Sequence, residues 1–177
     1  MPKAGARDPD SLYEEAAAEF GAALERLARG YERDPDKRRD LLQEIHVALW
    51  RSFRGFDGRC SLRTWVYRVA HNTATSQVLR RATNVPSFVS LDGIDPIADA
   101  IVGERTLDRQ RTLDRLYELI HRLDAGDRQV MLLYLEAVDA ATISEVTGLS
   151  ASNVATKVHR IKQLLVRRFH ERSADVR

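Results

Sequence analysis

The sequence predicts an all-α protein of two small helical domains joined by an acidic linker. Three observations carry this. Alternating β-branched runs are almost absent, while apolar residues recur at spacings of three and four. Glycine and proline are few, nine and five in 177 residues, and mostly mark the ends of those periodic stretches. One segment, Ala82 to Gly103, breaks the helical period and contains no lysine or arginine. A structureless stretch of that length inside one compact domain is uncommon, so the chain divides into residues 1–81, 82–103 and 104–177.

In the first division, Ser11-Leu12-Tyr13-Glu14 has capping-box spacing and opens an alanine-rich helix expected to end at Gly30. Asp34-Pro35 supplies an N-cap and a proline at the first helical position. The helix that follows carries Leu41, Leu42, Ile45, Leu49 and Trp50 as an apolar stripe. Gly55-Phe56-Asp57-Gly58 interrupts it. A third helix is expected from about Ser61 to Arg81, burying Leu62, Trp65, Val66 and Val69.

The linker holds Pro86, Pro96, Gly93, Gly103 and three aspartates. Phe88, Val89, Leu91 and Ile94 suggest that parts of it dock. Helices resume near Glu104, with Leu107, Leu113, Leu116, Leu119, Ile120 and Leu123 in the first, and Val130 to Ala137 most of the second. A short helix after Asp139 turns Ile143 and Val146 inward. After Gly148-Leu149-Ser150, a long helix to about Arg172 shows Val154, Val158, Ile161 and Leu165 on one face.

Composition excludes several function classes. A net charge of +2 is no polycation, so nucleic-acid binding has to rest on where the charges lie. A single cysteine, Cys60, excludes intramolecular disulfides and cysteine-cluster zinc sites. No apolar run approaches the ~18 residues of a membrane span. With no hydrophobic stretch at the start, a cytoplasmic location is expected.

Three constellations stand out. Ala140 to Arg160 has the shape of a helix-turn-helix: a left-handed residue is wanted at Gly148, Leu149 plugs the corner, and Ser150 caps the second helix. The exposed side of that helix offers Ser152, Asn153, Thr156, Lys157 and Arg160 to base edges or phosphates. From Lys157 to Arg172, six basic residues face one acidic residue. An ordinary helical hairpin with a solvated basic face would share this shape. The Gly-Leu-Ser corner and the small polar residues favour duplex binding.

The second constellation, Phe53 to Arg81, sets six arginines against Asp57 and interleaves them with Phe53, Phe56, Trp65 and Tyr67. Arginine beside aromatic platforms suits single-stranded nucleic acid, at ~1–3 kcal/mol per stacked base. For Trp65 alone, core packing is the better account. The third, Asp40-Leu41-Leu42-Gln43-Glu44-Ile45, is by itself a helix surface with an acidic edge.

Asp40-Leu41-Leu42-Gln43-Glu44, Leu49-Trp50-Arg51 and Ser61 to Asn72 resemble region 2 of extracytoplasmic-function sigma factors, of the sigma-70 family. Ile143-Ser144-Glu145-Val146, Gly148-Leu149-Ser150 and Asn153 to Arg160 resemble region 4. The two blocks lie in order, flank the linker, and with it cover about Leu12 to Phe169.

The resemblance implies a specificity subunit of bacterial RNA polymerase without catalytic activity, cofactor or metal of its own. Asp40, Leu41, Gln43, Glu44 and Trp50 would lie on or near the surface docking on the polymerase clamp helices. Phe56, Arg59, Ser61, Arg63, Thr64, Trp65, Arg68 and Asn72 would melt the −10 element and hold its non-template strand. Unstacking there costs a few kcal/mol, which stacking and arginine–phosphate contacts can offset. Ser150, Ser152, Asn153, Thr156, Lys157 and Arg160 would read the −35 element. The linker would thread toward the polymerase channel. An extended linker of about 22 residues spans about 70 Å, roughly two turns of duplex at ~34 Å each. Two tethered contacts then reinforce each other through effective concentration.

An anti-sigma partner is expected and a homo-oligomer is not. There is no long acidic N-terminal region and no middle domain, as in the minimal class. Ala151 and Ser152 stand where many relatives carry a charged residue and a glycine, so the −35 preference cannot be carried over. His46 and Cys60 have no assigned role. A stand-alone helix-turn-helix regulator would explain the second half but not Asp40 to Asn72. A hydrolase has no nucleophile elbow, metal triad or phosphate loop to rest on.

Overall fold

A computed structural model describes residues 8–84 and 104–174, and among these it shows seven α-helices and one 3-10 turn. The chain order is α1 (Pro9–Tyr31), α2 (Pro35–Ser52), the 3-10 turn Phe53–Gly55, α3 (Leu62–Asn84), α4 (Glu104–His121), α5 (Ala125–Leu135), α6 (Ala140–Thr147) and α7 (Ala151–Ala174). The all-α expectation holds. The linker beyond Asn84, with the docking expected of Phe88, Val89, Leu91 and Ile94, lies outside the described residues.

Helix starts are set by aspartates. Asp34 accepts from the backbone N–H groups of Asp36 and Lys37, Asp124 from that of Asp127, and Asp139 from that of Thr142. Helix α1 corrects the capping-box reading. Its cap is Asp8, whose carboxylate accepts from the Ser11 N–H, and Pro9 occupies the first turn. Ser11 therefore lies inside the helix, because Asp8-Pro9 repeats the Asp34-Pro35 device earlier in the chain. Helix α5 likewise starts at Ala125, five residues before the apolar run that marked it, and α3 continues to Asn84.

Helices α1, α2 and α3 pack as a three-helix bundle around Leu12, Phe20, Leu24, Leu41, Ile45, Leu49, Phe53 and Val66. His46 fastens this bundle, with its Nδ1 3.1 Å from the Tyr13 hydroxyl across α1 and α2. Helices α4, α5 and α7 close over Leu119, Leu123, Met131, Ile161 and Leu165, while Ile143 and Val146 of α6 join the larger core. The corner between α6 and α7 follows the sequence reading. Gly148 is left-handed at φ 76°, Leu149 packs inward, and the Ser150 hydroxyl accepts from the Asn153 N–H.

The two halves also pack on each other. Apolar burial runs without a break from Leu24 and Tyr31 to Ile120, Leu132, Leu133 and Ile143. Gly30 makes this possible. It does not end α1, which continues to Tyr31; its missing side chain lets α5 in. A Cβ on Gly30 would stand 2.4 Å from Cδ2 of Leu132. Around this contact Arg26 forms a two-pronged ion pair with Glu136, at 2.6 Å for each prong, and Arg29 pairs with Asp114.

Two histidines lie inside. His71 is buried beneath Tyr31, whose hydroxyl is 2.9 Å from its Nδ1. Burial lowers the His71 pKa to about 3 and raises that of Tyr31 to about 12. His121 is lowered to about 4, first by burial and then by the nearby Arg33 and Arg128.

Two outcomes follow from this packing. The unfolded chain protonates both histidines near pH 6.5, whereas the folded chain holds them neutral until about pH 4 and 3. Their stabilisation is therefore complete above pH 6.5 and falls as the pH drops, by about 1.4 kcal/mol per histidine per pH unit. Urea unfolding at pH 7, 6 and 5 should show that slope, and His71→Gln should lose one histidine's share of it. Gly30→Leu puts a good helix former into α1 but drives its side chain into Leu132. The radius of gyration by small-angle scattering should rise while helicity persists; an unchanged radius would show that α5 can shift to admit the side chain.

Candidate nucleic-acid interface

The loop before α3 and the first three turns of that helix form one surface. Ser61 caps α3: its Oγ accepts from the Thr64 N–H at 3.0 Å and lies 2.9 Å from Thr64 Oγ1. Because Thr64 Oγ1 donates to Glu145 Oε2 at 3.1 Å, the Ser61 hydroxyl is the donor in that second contact. Trp65 is half-buried, and its indole N–H donates to Ser52 Oγ at 2.9 Å. Phe56 meets the Trp65 ring edge-on at 5.2 Å and Phe53 at 6.2 Å. The aromatic residues thus brace the loop from within, and Trp65 packs half-buried against the core. Gly58, left-handed at φ 73°, turns the loop. It leaves Arg59 outermost, 89% exposed and paired with Asp57 at 2.8 Å.

Three of the residues singled out here point into the other half. Arg63 donates to the Glu136 carbonyl at 3.1 Å, and Arg68 to the Glu145 carbonyl at 2.9 Å. Thr64, 1% exposed, donates to the Glu145 carboxylate. Helices α5 and α6 therefore lie against this part of α3: Thr64 is shut in, while Arg63 and Arg68 are half-exposed and held at the edge. Arg59, Ser61 and Asn72 remain exposed. Glu136 carried no signal in the sequence, and Glu145 entered only within the region 4 resemblance. Each is an acidic residue near the end of a short helix, and only the packing of the halves gives it a partner.

The second surface is the outer side of α7. Ser150, Ser152, Asn153 and Thr156 are exposed at its start, opposite the buried Val154 and Ile161. Lys157 and Arg160 lie on its flank, where both bind Asp127 of α5 at 2.5 Å, one to each carboxylate oxygen. His159 and Gln163, which bond each other at 2.9 Å, continue the exposed stripe. Helical spacing from Ser152 through Thr156 would have found them.

A third surface lies on α2, away from α4 to α7. Asp40, Gln43 and Glu44 line an open groove of about 550 Å³ with Val47, Arg51, Thr73, Gln77 and Arg80. Arg80 reaches Glu44 at 3.5 Å across it. Trp50 is 40% exposed; its N–H donates to Asp10 and its ring lies under Arg54. Leu41 corrects the surface reading. At 1% exposure it lies in the core, because it belongs to the apolar stripe of α2, so it supports this surface from beneath.

Among the described residues, no group of three or more His, Cys, Asp or Glu is placed to hold a metal. Among them, too, no helix is long and apolar enough to cross a membrane. Cys60 is half-buried.

Family comparisons match both halves. The profile of Sigma-70 region 2 matches residues 17–83, and that of Sigma-70, region 4 matches residues 113–165. The chain is 36% identical over 63 residues to the ECF RNA polymerase sigma factor SigG of Mycobacterium tuberculosis. That match takes in 35% of this chain and only 17% of the relative. RNA polymerase sigma factor NccH of Alcaligenes xylosoxydans xylosoxydans is 26% identical over 153 residues, covering 82% of this chain and 80% of the relative. Among solved structures, CnrH in complex with the cytosolic domain of CnrY superposes with a TM-score of 0.65 at 21% identity, over 90% of this chain and 88% of that one. Sigma factor RpoE of Bartonella quintana, in complex with the anti-sigma factor NepR, gives 0.65 at 18% identity, over 86% and 93%. With its two segments matched in order, the chain belongs to the sigma-70 family of RNA polymerase sigma factors, in the extracytoplasmic-function class.

Proposed function

We propose that this chain docks on core bacterial RNA polymerase, recognises the −10 and −35 elements of a promoter and helps melt the DNA for initiation. Residues 1–81 act as region 2, residues 104–177 as region 4, and 82–103 as the connection. The observation that carries this reading is the pairing of two family segments, in order, with two separate polar surfaces. One is the α2 groove around Asp40, Gln43 and Glu44, the other the outer side of α7. A stand-alone duplex-binding regulator would leave the first surface without a purpose. Phosphodiester synthesis stays with the polymerase, and the site of action is the cytoplasm.

Each surface has a distinct part. The α2 groove and Trp50 meet polymerase. Arg59, Ser61 and Asn72 approach the −10 strand first, and Arg63, Thr64 and Arg68 join once α5 and α6 have moved off α3. Phe56 and Trp65 hold the loop that receives an unstacked base. Ser150, Ser152, Asn153 and Thr156 enter the major groove, where a helix N-terminus and its small polar side chains can approach base edges closely.

The closed arrangement supports a regulated cycle. Opening breaks the Arg26–Glu136 and Arg29–Asp114 ion pairs and the arginine contacts to α5 and α6, and it exposes the apolar face around Leu132. An anti-sigma factor would act by holding the closed form. The chain itself would work as a single copy.

Run-off transcription with core polymerase, on templates that include the region upstream of its own gene, should give discrete starts dependent on this protein. The absence of both transcription and binding to core polymerase would overturn the reading. Glu44→Lys, exposed in the α2 groove, should lower affinity for core polymerase at least tenfold, equivalent to about 1.4 kcal/mol. Its circular dichroism spectrum should be unchanged.

A further inference from the structure

We propose that Asp127 is a positioning residue for duplex recognition, one that fixes how much of the positive charge on α7 reaches DNA phosphates. The inference rests on the proposed role of α7 at duplex DNA. Asp127 lies in the first turn of α5, outside the helix-turn-helix, and nothing in the sequence around it points to DNA. Its side chain is only 8% exposed, yet it receives two cations: Lys157 Nζ on Oδ1 and Arg160 Nη2 on Oδ2. Its main-chain N–H is separately engaged with Asp124, so the carboxylate is not needed to cap α5.

The two cations are held unequally. Lys157 is 31% exposed and Arg160 is 62% exposed. Lys157 gives one N–H to the buried carboxylate and is mostly covered, which draws its ammonium away from the outer side of α7. A guanidinium that bonds through one nitrogen keeps further N–H groups for a second acceptor. One carboxylate against two cations leaves a single unit of positive charge on this flank of α7, carried outward by Arg160. Asp127 thereby withholds Lys157 from the backbone and presents Arg160 in a fixed orientation.

Phosphate contacts carry affinity without sequence information, whereas the exposed Ser152, Asn153 and Thr156 are the groups able to read bases. Restricting the phosphate term raises the relative weight of that readout. Removing the carboxylate charge reverses this: Lys157 becomes free to meet a phosphate, and affinity for any duplex rises regardless of sequence.

The test measures binding of the full chain to a random-sequence duplex by fluorescence anisotropy, between about 50 and 200 mM salt. Asp127→Asn should bind more tightly than the native chain, with the slope of log K against log salt steeper by about 0.9, the value of one added phosphate contact. Adding Lys157→Met to Asp127→Asn should return the slope to the native value, since Arg160 then carries the single positive charge left on this flank. Asp127→Glu, which keeps the charge, should retain the native slope. A residue that only stabilised the fold would lower the melting temperature and weaken binding without steepening the slope. An equal or shallower slope for Asp127→Asn would overturn the proposal, as would a double variant with Lys157→Met that keeps the steeper slope. Absence of duplex binding by every chain would instead remove the duplex-facing role of α7, and that of Asp127 with it.

Discussion

The close passage of α5 over α1 at Gly30 is the contact on which the rest of the described arrangement depends. With no Cβ on Gly30, Leu132 settles against the α1 backbone, and the end of α5 comes within reach of Arg26 and Arg63. That fixes the α5–α6 corner, where Ala137 adopts a positive φ of 53°, and it lays α6 along α3 so that Glu145 meets Thr64 and Arg68. An exposed surface ion pair contributes about 0–1 kcal/mol, so the polar contacts alone would hold the halves weakly. The apolar area buried around Leu132, Leu133 and Ile120 gives them a fixed frame.

Much of the fold was legible because its determinants are local. Asp34-Pro35, Asp139 and the Gly148-Leu149-Ser150 corner each act within a few residues, and each performs as its chemistry requires. The errors have local causes too. Asp8-Pro9 is the same signal as Asp34-Pro35, outweighed by a capping-box pattern at Ser11. Gly30 carries the residue type of a helix end, but its purpose lies about a hundred residues away, at Leu132. No local pattern announces such a partner, because close approach is a property of two surfaces and not of one sequence window.

The candidate site divides in the same way. Helical periodicity placed Ser152, Asn153 and Thr156 on the outer side of α7, and they are there. It could not show that Lys157 and Arg160 lean back on Asp127, since an acidic residue in the first turn of a helix already has a sufficient local reason to be there. Leu41 shows the converse: the motif resemblance set it among the docking residues, while its place in the Leu41-Ile45-Leu49 stripe put it in the core. His46 had no role in the sequence and gains one only from Tyr13, thirty-three positions earlier.

The arginines of α3 do not close on side chains alone. Arg63 and Arg68 end on main-chain carbonyls, of Glu136 and of Glu145. A carbonyl is present whatever residue bears it, so substitution at positions 136 or 145 removes a carboxylate but leaves the acceptor in place. Sensitivity to mutation is thereby lopsided across this seam. The α3 side can lose its grip by a single base change, whereas the α5–α6 side can drift in sequence and still be held, provided its helices end where they do. A surface constrained by what it must bind would, by the same geometry, also preserve the contacts that keep it covered.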